Sequence, residues 1–370
     1  MANIAFWTAS HLPDLGGFQW STYRLAKALA KLGHKPTFVT RSTLGQDFAT
    51  EVPAVRFGGE TVLDWTRISG QWLLSQRNRL DLIHTIDCFY KAIDEQLSIL
   101  TATGLPTVLK IPTQGYIQKL INTAYRQQGF RQISAFSALN PGIVAELNQL
   151  DIDRARVHLI PNGVDPSEFV PAANSAELRK QLGLPNGKIL LLFMGRLVYR
   201  KRLDVLLSAM ESMPTAVTLI IVGSSFGQRD SVEAEIIKRA PTLPNVILRP
   251  STAEVLPYYQ ACDIQVLLSE REGLPNSILE GMSCALPTVV SNIPGLAEVV
   301  DSEEDGIIVP VGDVASTVSV LTRLAADVEL RKRLGQAARR KIIARYDIQT
   351  VALTYNALYK TLTEKGRMRP

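Results

Sequence analysis

The sequence predicts an α/β protein of two doubly wound domains, and three observations carry that expectation. Strand-length apolar runs alternate with helical patterns from Ile4 to Ser291, the pattern of parallel sheets covered on both faces. Pro161-Asn-Gly-Val-Asp-Pro166 interrupts the alternation with two prolines and an Asn-Gly pair, which reads as a linker. The length of 370 residues suits two domains, each with enough apolar sequence for its own core. Two such domains on a short linker would face each other across a cleft.

In the first half, Ile4 to Ala9 reads as a strand, and Trp20 to Leu32 as a helix that Gly33 ends. Strands at Thr37–Thr40 and Leu82–Thr85 follow, then a helix from Tyr90 to Thr101 and strands at Thr107–Ile111 and Gln132–Ala135. After the linker come strand Ile189–Met194, helix Leu203–Met210 and strand Thr218–Val222. Strands Val246–Leu248, Ile264–Leu268 and Thr288–Ser291 complete the set. The expected domains are 1–165 and 166–345. A helix in the final segment, 346–370, would cross back to the first domain.

With 46% apolar and 20% charged residues, the composition is that of a globular protein. The longest apolar runs, Ile189–Met194 and Val217–Val222, are far too short to span a bilayer. The chain opens directly on a strand with no basic region before it, so the expectation is a cytoplasmic protein without a signal peptide. Cys88, Cys262 and Cys284 are too few and too scattered for a disulfide framework or a metal site. Net charge is +5, yet residues 96–145 hold Lys110, Lys119, Arg126 and Arg131 and no acidic residue. That stretch is either a solvated basic face or a contact for an anion, such as the inner face of a membrane. No aromatic interleaving accompanies it, which argues against nucleic acid.

Glu272 and Glu280 carry the most chemistry, in Ser269-Glu-Arg-Glu-Gly-Leu-Pro-Asn-Ser-Ile-Leu-Glu280. The first falls after a buried strand, at the sheet edge where α/β proteins gather ligands. The second falls in the first turns of the next helix, whose N-terminus offers N–H groups to a phosphate. Carboxylates beside an anion site suit hydroxyls, on a ribose or a sugar ring, rather than the phosphate. The inference is a nucleotide diphosphate carrying a sugar. Gly195-Arg196 ends another buried strand, with Lys201 close behind. A guanidinium fork and an ammonium there could neutralise a diphosphate and stabilise it as it leaves, whereas Arg200 and Arg202 read as a solvated basic loop. Gly16-Gly17, between a strand and a helix, makes either a tight turn or a loop whose backbone approaches a ligand. Among the four histidines, His34 and His158 read as structural and His11 as a weak candidate, and His84 closes a strand where an acceptor group could sit. Asp151-Ile-Asp153 does not close an apolar strand, so no carboxylate-held metal ion is expected.

These residues resemble glycosyltransferase family 4, retaining enzymes of the GT-B fold, nearly end to end. Four blocks carry the likeness: Gly16-Gly17 with Leu32-Gly33-His34; Leu159-Ile-Pro-Asn-Gly-Val-Asp165 with Phe169; Gly195-Arg196-Leu197 with Lys201; and Glu272-Gly-Leu-Pro-Asn-Ser-Ile-Leu-Glu280 with Leu286-Pro-Thr-Val-Val290. The resemblance implies that Arg196 and Lys201 grip the donor diphosphate and Glu280 meets the ribose. Glu272 would contact the transferred sugar beside the Gly273 and Leu274 amides, and Gly16 and Gly17 would approach the phosphate. It further implies front-face transfer with retention, a nucleotide-sugar cosubstrate (UDP first, GDP next) and no other cofactor. The acceptor would be a glycan, a lipid-linked glycan or a small molecule.

Two departures stand out. Where many members carry a histidine after the strand Thr107–Ile111, this chain has Lys110-Ile-Pro-Thr-Gln-Gly115, so Lys110, Thr113 or Gln114 would meet the acceptor or a phosphate. Pro275 removes one N–H from the donor loop. Two rival readings remain: a nucleotide-sugar epimerase of the same architecture, which needs histidines and carboxylates clustered together, and a non-catalytic nucleotide-sugar-binding protein.

Overall fold

Short runs of buried apolar residues build two all-parallel sheets. In the computed structural model, which describes the chain apart from residues 11–15, 42–50, 87–88, 151, 226–229 and 368–370, the first sheet has seven strands: β1 Asn3–Trp7, β2 Lys35–Arg41, β3 Ala54–Phe57, β4 Leu82–Thr85, β5 Thr107–Ile111, β6 Ala135–Ala138 and β7 Val157–Leu159. Their order is β3-β2-β1-β4-β5-β6-β7. The second sheet comprises β8 Ile189–Met194, β9 Val217–Val222, β10 Val246–Arg249, β11 Ile264–Leu267, β12 Thr288–Ser291 and β13 Gly306–Val309, in the order β10-β9-β8-β11-β12-β13. In each sheet the winding direction reverses, between β1 and β4 and between β8 and β11, as in a doubly wound fold.

The chain divides into two units. Residues 1–14, 18–163 and 348–370 form the first, and residues 15–17 and 164–347 the second. In the first unit, the last helix, Ile348–Arg367, buries Ile348, Val351, Ala352, Tyr355 and Tyr359 with Ile4, Phe6, Phe38 and Val108 in one core. Polar hooks hold it there. His84 Nδ1 lies 2.6 Å from the Tyr359 hydroxyl, Ser137 Oγ 2.6 Å from the Tyr355 hydroxyl, and His34 Nε2 2.9 Å from Asn356 Oδ1.

Lys110 is the unusual group of this unit. It is 4% exposed, and its Nζ donates to Asn162 Oδ1 at 2.7 Å. Burial pushes its ammonium from 10.5 down to about 8. Between those two values the unfolded chain binds more protons than the folded one, so stability rises with pH across that window. Below pH 8 the full penalty stands, about 3 kcal/mol. A Lys110→Met variant is therefore expected to look most favourable against wild type at pH 7.5 and to lose that relative advantage by pH 10. Urea midpoints at the two pH values check this, and a difference that stays constant with pH would refute a buried charge at Lys110.

One expected strand moves. The helix Ala124–Gln132, capped by Thr123, runs on through Gln132, so β6 begins at Ala135 rather than at Gln132. β3 and β13 were not anticipated. β3 is a half-buried edge strand of four residues, and a ladder seen from one side by solvent leaves little apolar signal.

Candidate functional site

The switch point of the second sheet assembles a charged site. β8 and β11 are registered at Ile264↔Leu191 and Gln265↔Leu192, and each strand then ends in a loop. The loop after β8 carries Gly195, Arg196, Arg200 and Lys201, and the loop after β11 carries Ser269, Glu272, Gly273 and Leu274. The helix Asn276–Ser283 follows and brings Glu280 round in its second turn.

Glu272 is the hub. Its Oε1 receives Lys201 Nζ at 2.6 Å, Ser269 Oγ at 2.9 Å and Arg200 Nη1 at 3.2 Å. The Lys201 and Glu272 side chains are 8% and 9% exposed. Burial would raise the Glu272 carboxyl, but the charges of Lys201 and Arg200 and the bonds from Lys201 and Ser269 outweigh it, holding the group below its ordinary value. Burial lowers the Lys201 ammonium, with Glu272 opposing only in part. At neutral pH Glu272 is therefore a carboxylate. Arg196 is half-buried and forms no direct ion pair among the described residues. Burial and the like charge of Arg200 lower its pKa, against weaker pull from Glu272 and Asp230. Arg196 is thus a cation that no described carboxylate pairs directly, which suits an incoming anion.

Glu280 is 7% exposed, and the buried Tyr259 hydroxyl donates to its Oε2 at 2.9 Å. Tyr259 packs edge-on against Phe169, whose carbonyl accepts from Ser283 Oγ and Arg339 Nη1. Gly273 and Leu274 are buried behind Glu272, and Pro275 occupies the N-cap of the following helix.

Two glycines let the loops sit where they do. A Cβ on Gly223, at the end of β9, would overlap the Gly195 carbonyl oxygen. A Cβ on Gly295 would overlap the Gly273 carbonyl oxygen and stand 2.5 Å from that of Glu272. Backbone packs directly on backbone behind the loops that carry Arg196 and Glu272.

Several expected positions land elsewhere. His84 is fully buried against Tyr359, Tyr355 and Phe6 and has no solvent face, so an acceptor role is withdrawn. Thr113 and Gln114 are half-buried in the loop after β5. That loop is pinned by the buried Glu146, whose carboxylate accepts from the Gly115 and Gln118 N–H groups at 2.7 and 3.1 Å. Gly16 forms a bend and Gly17 opens the helix Gly17–Lys31. His11, Cys88 and Asp151 lie outside the described residues.

The basic stretch 96–145 is thinner than its composition suggests. Lys110 is interior, and Arg126 is forked onto Asp94 at 2.7 and 2.8 Å, which leaves less charge for an anionic surface. No helix among the described residues is long and apolar enough to cross a membrane.

Arg200, Ser269 and Tyr259 were not anticipated. Arg200 belongs by sequence to a solvated basic loop, yet its Nη1 reaches Glu272 Oε1 at 3.2 Å. The pairing of Tyr259 with Glu280 joins two helices and leaves no local signal.

Two parallel doubly wound sheets with charge gathered at one switch point define a class, and the comparisons agree with it. HepE of Anabaena, solved in complex with UDP-glucose, superposes with a TM-score of 0.81 at 19% identity, over 98% of this chain and 100% of that one. The fold is GT-B. A model described as Glycosyltransferase Family 4 matches residues 15–168, and one described as Glycosyl transferases group 1 matches residues 174–341. The chain belongs to glycosyltransferase family 4. It is 23% identical over 368 residues, 94% of each chain, to the N-acetyl-alpha-D-glucosaminyl L-malate synthase of Bacillus anthracis. It is 30% identical over 220 residues to the UDP-Gal:alpha-D-GlcNAc-diphosphoundecaprenol alpha-1,3-galactosyltransferase of Escherichia coli, covering 55% of this chain and 53% of that protein.

Proposed function

We propose that the protein moves a sugar from a nucleotide-diphosphate sugar, UDP-linked in first preference and GDP-linked in second, to an acceptor hydroxyl with retention and without a metal ion. The observation that carries this reading is the pair of cations Arg196 and Lys201 beside the buried carboxylate of Glu272. Arg196 and Lys201 would hold the diphosphate and take up its charge as the anomeric C–O bond breaks, which is the part a divalent cation would otherwise play. The acceptor oxygen would bond to the anomeric carbon on the face the diphosphate leaves, and its proton would pass to the departing phosphate oxygen. Glu272 is a poor nucleophile while cations draw on its charge, so we assign it to sugar hydroxyls, and Glu280 to the ribose.

The epimerase alternative is disfavoured by His34 and His84, both bonded inside the first unit instead of beside a site carboxylate. For the acceptor, the relatives named for L-malate and for a diphosphoundecaprenol-linked GlcNAc suggest a molecule that carries a carboxylate or phosphate.

Calorimetry with UDP-glucose, UDP-N-acetylglucosamine and GDP-mannose, without metal, tests the donor assignment. Wild type should select one of them, and Glu280→Ala should weaken it about 10- to 100-fold through loss of charged hydrogen bonds. No binding by any of the three, or equal binding by the variant, would overturn it.

A further inference from the structure

We infer that Arg200 is the positioning residue that keeps Glu272 aimed at the donor sugar once Lys201 has turned to the phosphates, an inference that rests on the nucleotide-sugar reading above. Three donors converge on Glu272 Oε1: Lys201 Nζ, Ser269 Oγ and Arg200 Nη1. A carboxylate oxygen has two lone pairs, so one donor can leave without stranding the charge. The anchoring of the three decides which.

Lys201 is a compact cation on a flexible stem, and Glu272 is its ion-pair partner. Arg200 is fixed at both ends. Its backbone carbonyl accepts from the Glu270 N–H at 2.9 Å, and its Nη1 also reaches the Arg271 carbonyl at 3.4 Å. These bonds stitch the loop after β8 to the loop after β11. A diphosphate arriving beside Arg196 would draw Lys201 away, while Arg200 and Ser269 stay on Oε1. With all three donors on one oxygen, Oε2 is the oxygen left to receive a sugar hydroxyl. Lys201 is then the mobile member of the cluster, and Arg200 the fixed one.

This division separates two ligands that share the phosphates. UDP alone needs the diphosphate grip, whereas a UDP-sugar also needs an oriented Glu272. Calorimetry on wild type, Arg200→Gln, Arg200→Lys and Ser269→Ala would use UDP and whichever of UDP-glucose and UDP-N-acetylglucosamine wild type binds more tightly. Arg200→Gln should keep UDP affinity within about twofold of wild type, lose about tenfold for the UDP-sugar and lower kcat for transfer, a split of the size a charged hydrogen bond supplies. Arg200→Lys should recover part of the UDP-sugar loss. Ser269→Ala, a small change outside the cation cluster, should show the same split at lower amplitude. An equal loss for UDP and UDP-sugar would make Arg200 a phosphate ligand and overturn the inference, as would no loss for either. If wild type binds only GDP-mannose, the same split is read between GDP and GDP-mannose; failure of wild type to bind any of the three nucleotide sugars would instead defeat the nucleotide-sugar reading, and the inference with it.

Discussion

A Lys201→Met variant is expected to lose about 10²- to 10³-fold in kcat for sugar transfer, the usual cost of removing one preorganised charge from a site where charge develops. Methionine keeps much of the length and the apolar stem, so the change isolates the ammonium. Two effects compete. The leaving diphosphate loses a cation, and Glu272 loses its 2.6 Å partner while remaining 9% exposed. Removing one member of a buried pair can cost about 3–5 kcal/mol of stability. Here Arg200 and Ser269 stay on the same oxygen and soften that cost. The kinetic loss should therefore exceed the stability loss. Steady-state rates beside urea midpoints check this. Wild-type kcat in a folded Lys201→Met protein would remove Lys201 from the chemistry.

The strands that bear the site were legible because they are buried on both faces. β8 reads as an unbroken apolar run and falls where the sequence puts it, and β11, interrupted only by Gln265, ends one residue before the expected Leu268. Edge strands divided: β3, half-buried along its length, left no signal, whereas β10, equally half-buried, was legible in Val246–Leu248. The site divided in the same way. The positions of Arg196, Lys201, Glu272 and Glu280 after β8 and β11 were legible because both strands announce themselves. Arg200 could not be read, since a basic loop residue looks solvated until its partner on another loop is known. Tyr259 was hidden for a related reason: its hydroxyl meets Glu280 across helix packing, which no spacing along the chain encodes. His84 shows the converse error. A histidine at a strand end resembles a cleft residue until a helix from the far end of the chain covers it.

Gly295→Ala and Gly223→Ala are expected to weaken donor binding by tenfold or more, although neither residue would touch the ligand. The requirement at both positions is space. Neither glycine has a positive φ, so alanine could adopt the backbone without strain, yet its methyl group has nowhere to go. At 295 it would displace the Glu272–Gly273 carbonyls, and at 223 the Gly195 carbonyl. Backbone cannot rotate aside as a flexible side chain can, and overpacking of this kind costs about 1–3 kcal/mol. The strands β9 and β12 behind these residues are fully buried, whereas the loops in front carry the groups proposed to face the donor. The loops are the softer side, and they should absorb the displacement. A shift that moves Glu272 or Arg196 out of reach then appears as lost affinity, with tenfold for each 1.4 kcal/mol, more than as unfolding. Gly58→Ala supplies the control, because a Cβ there meets nothing within 4 Å. Donor titrations beside thermal melts of the three variants decide the matter. Wild-type affinity in Gly295→Ala with a lowered melting temperature would mean that the core gives way first, and that the donor loop is held by more than the absence of one methyl group.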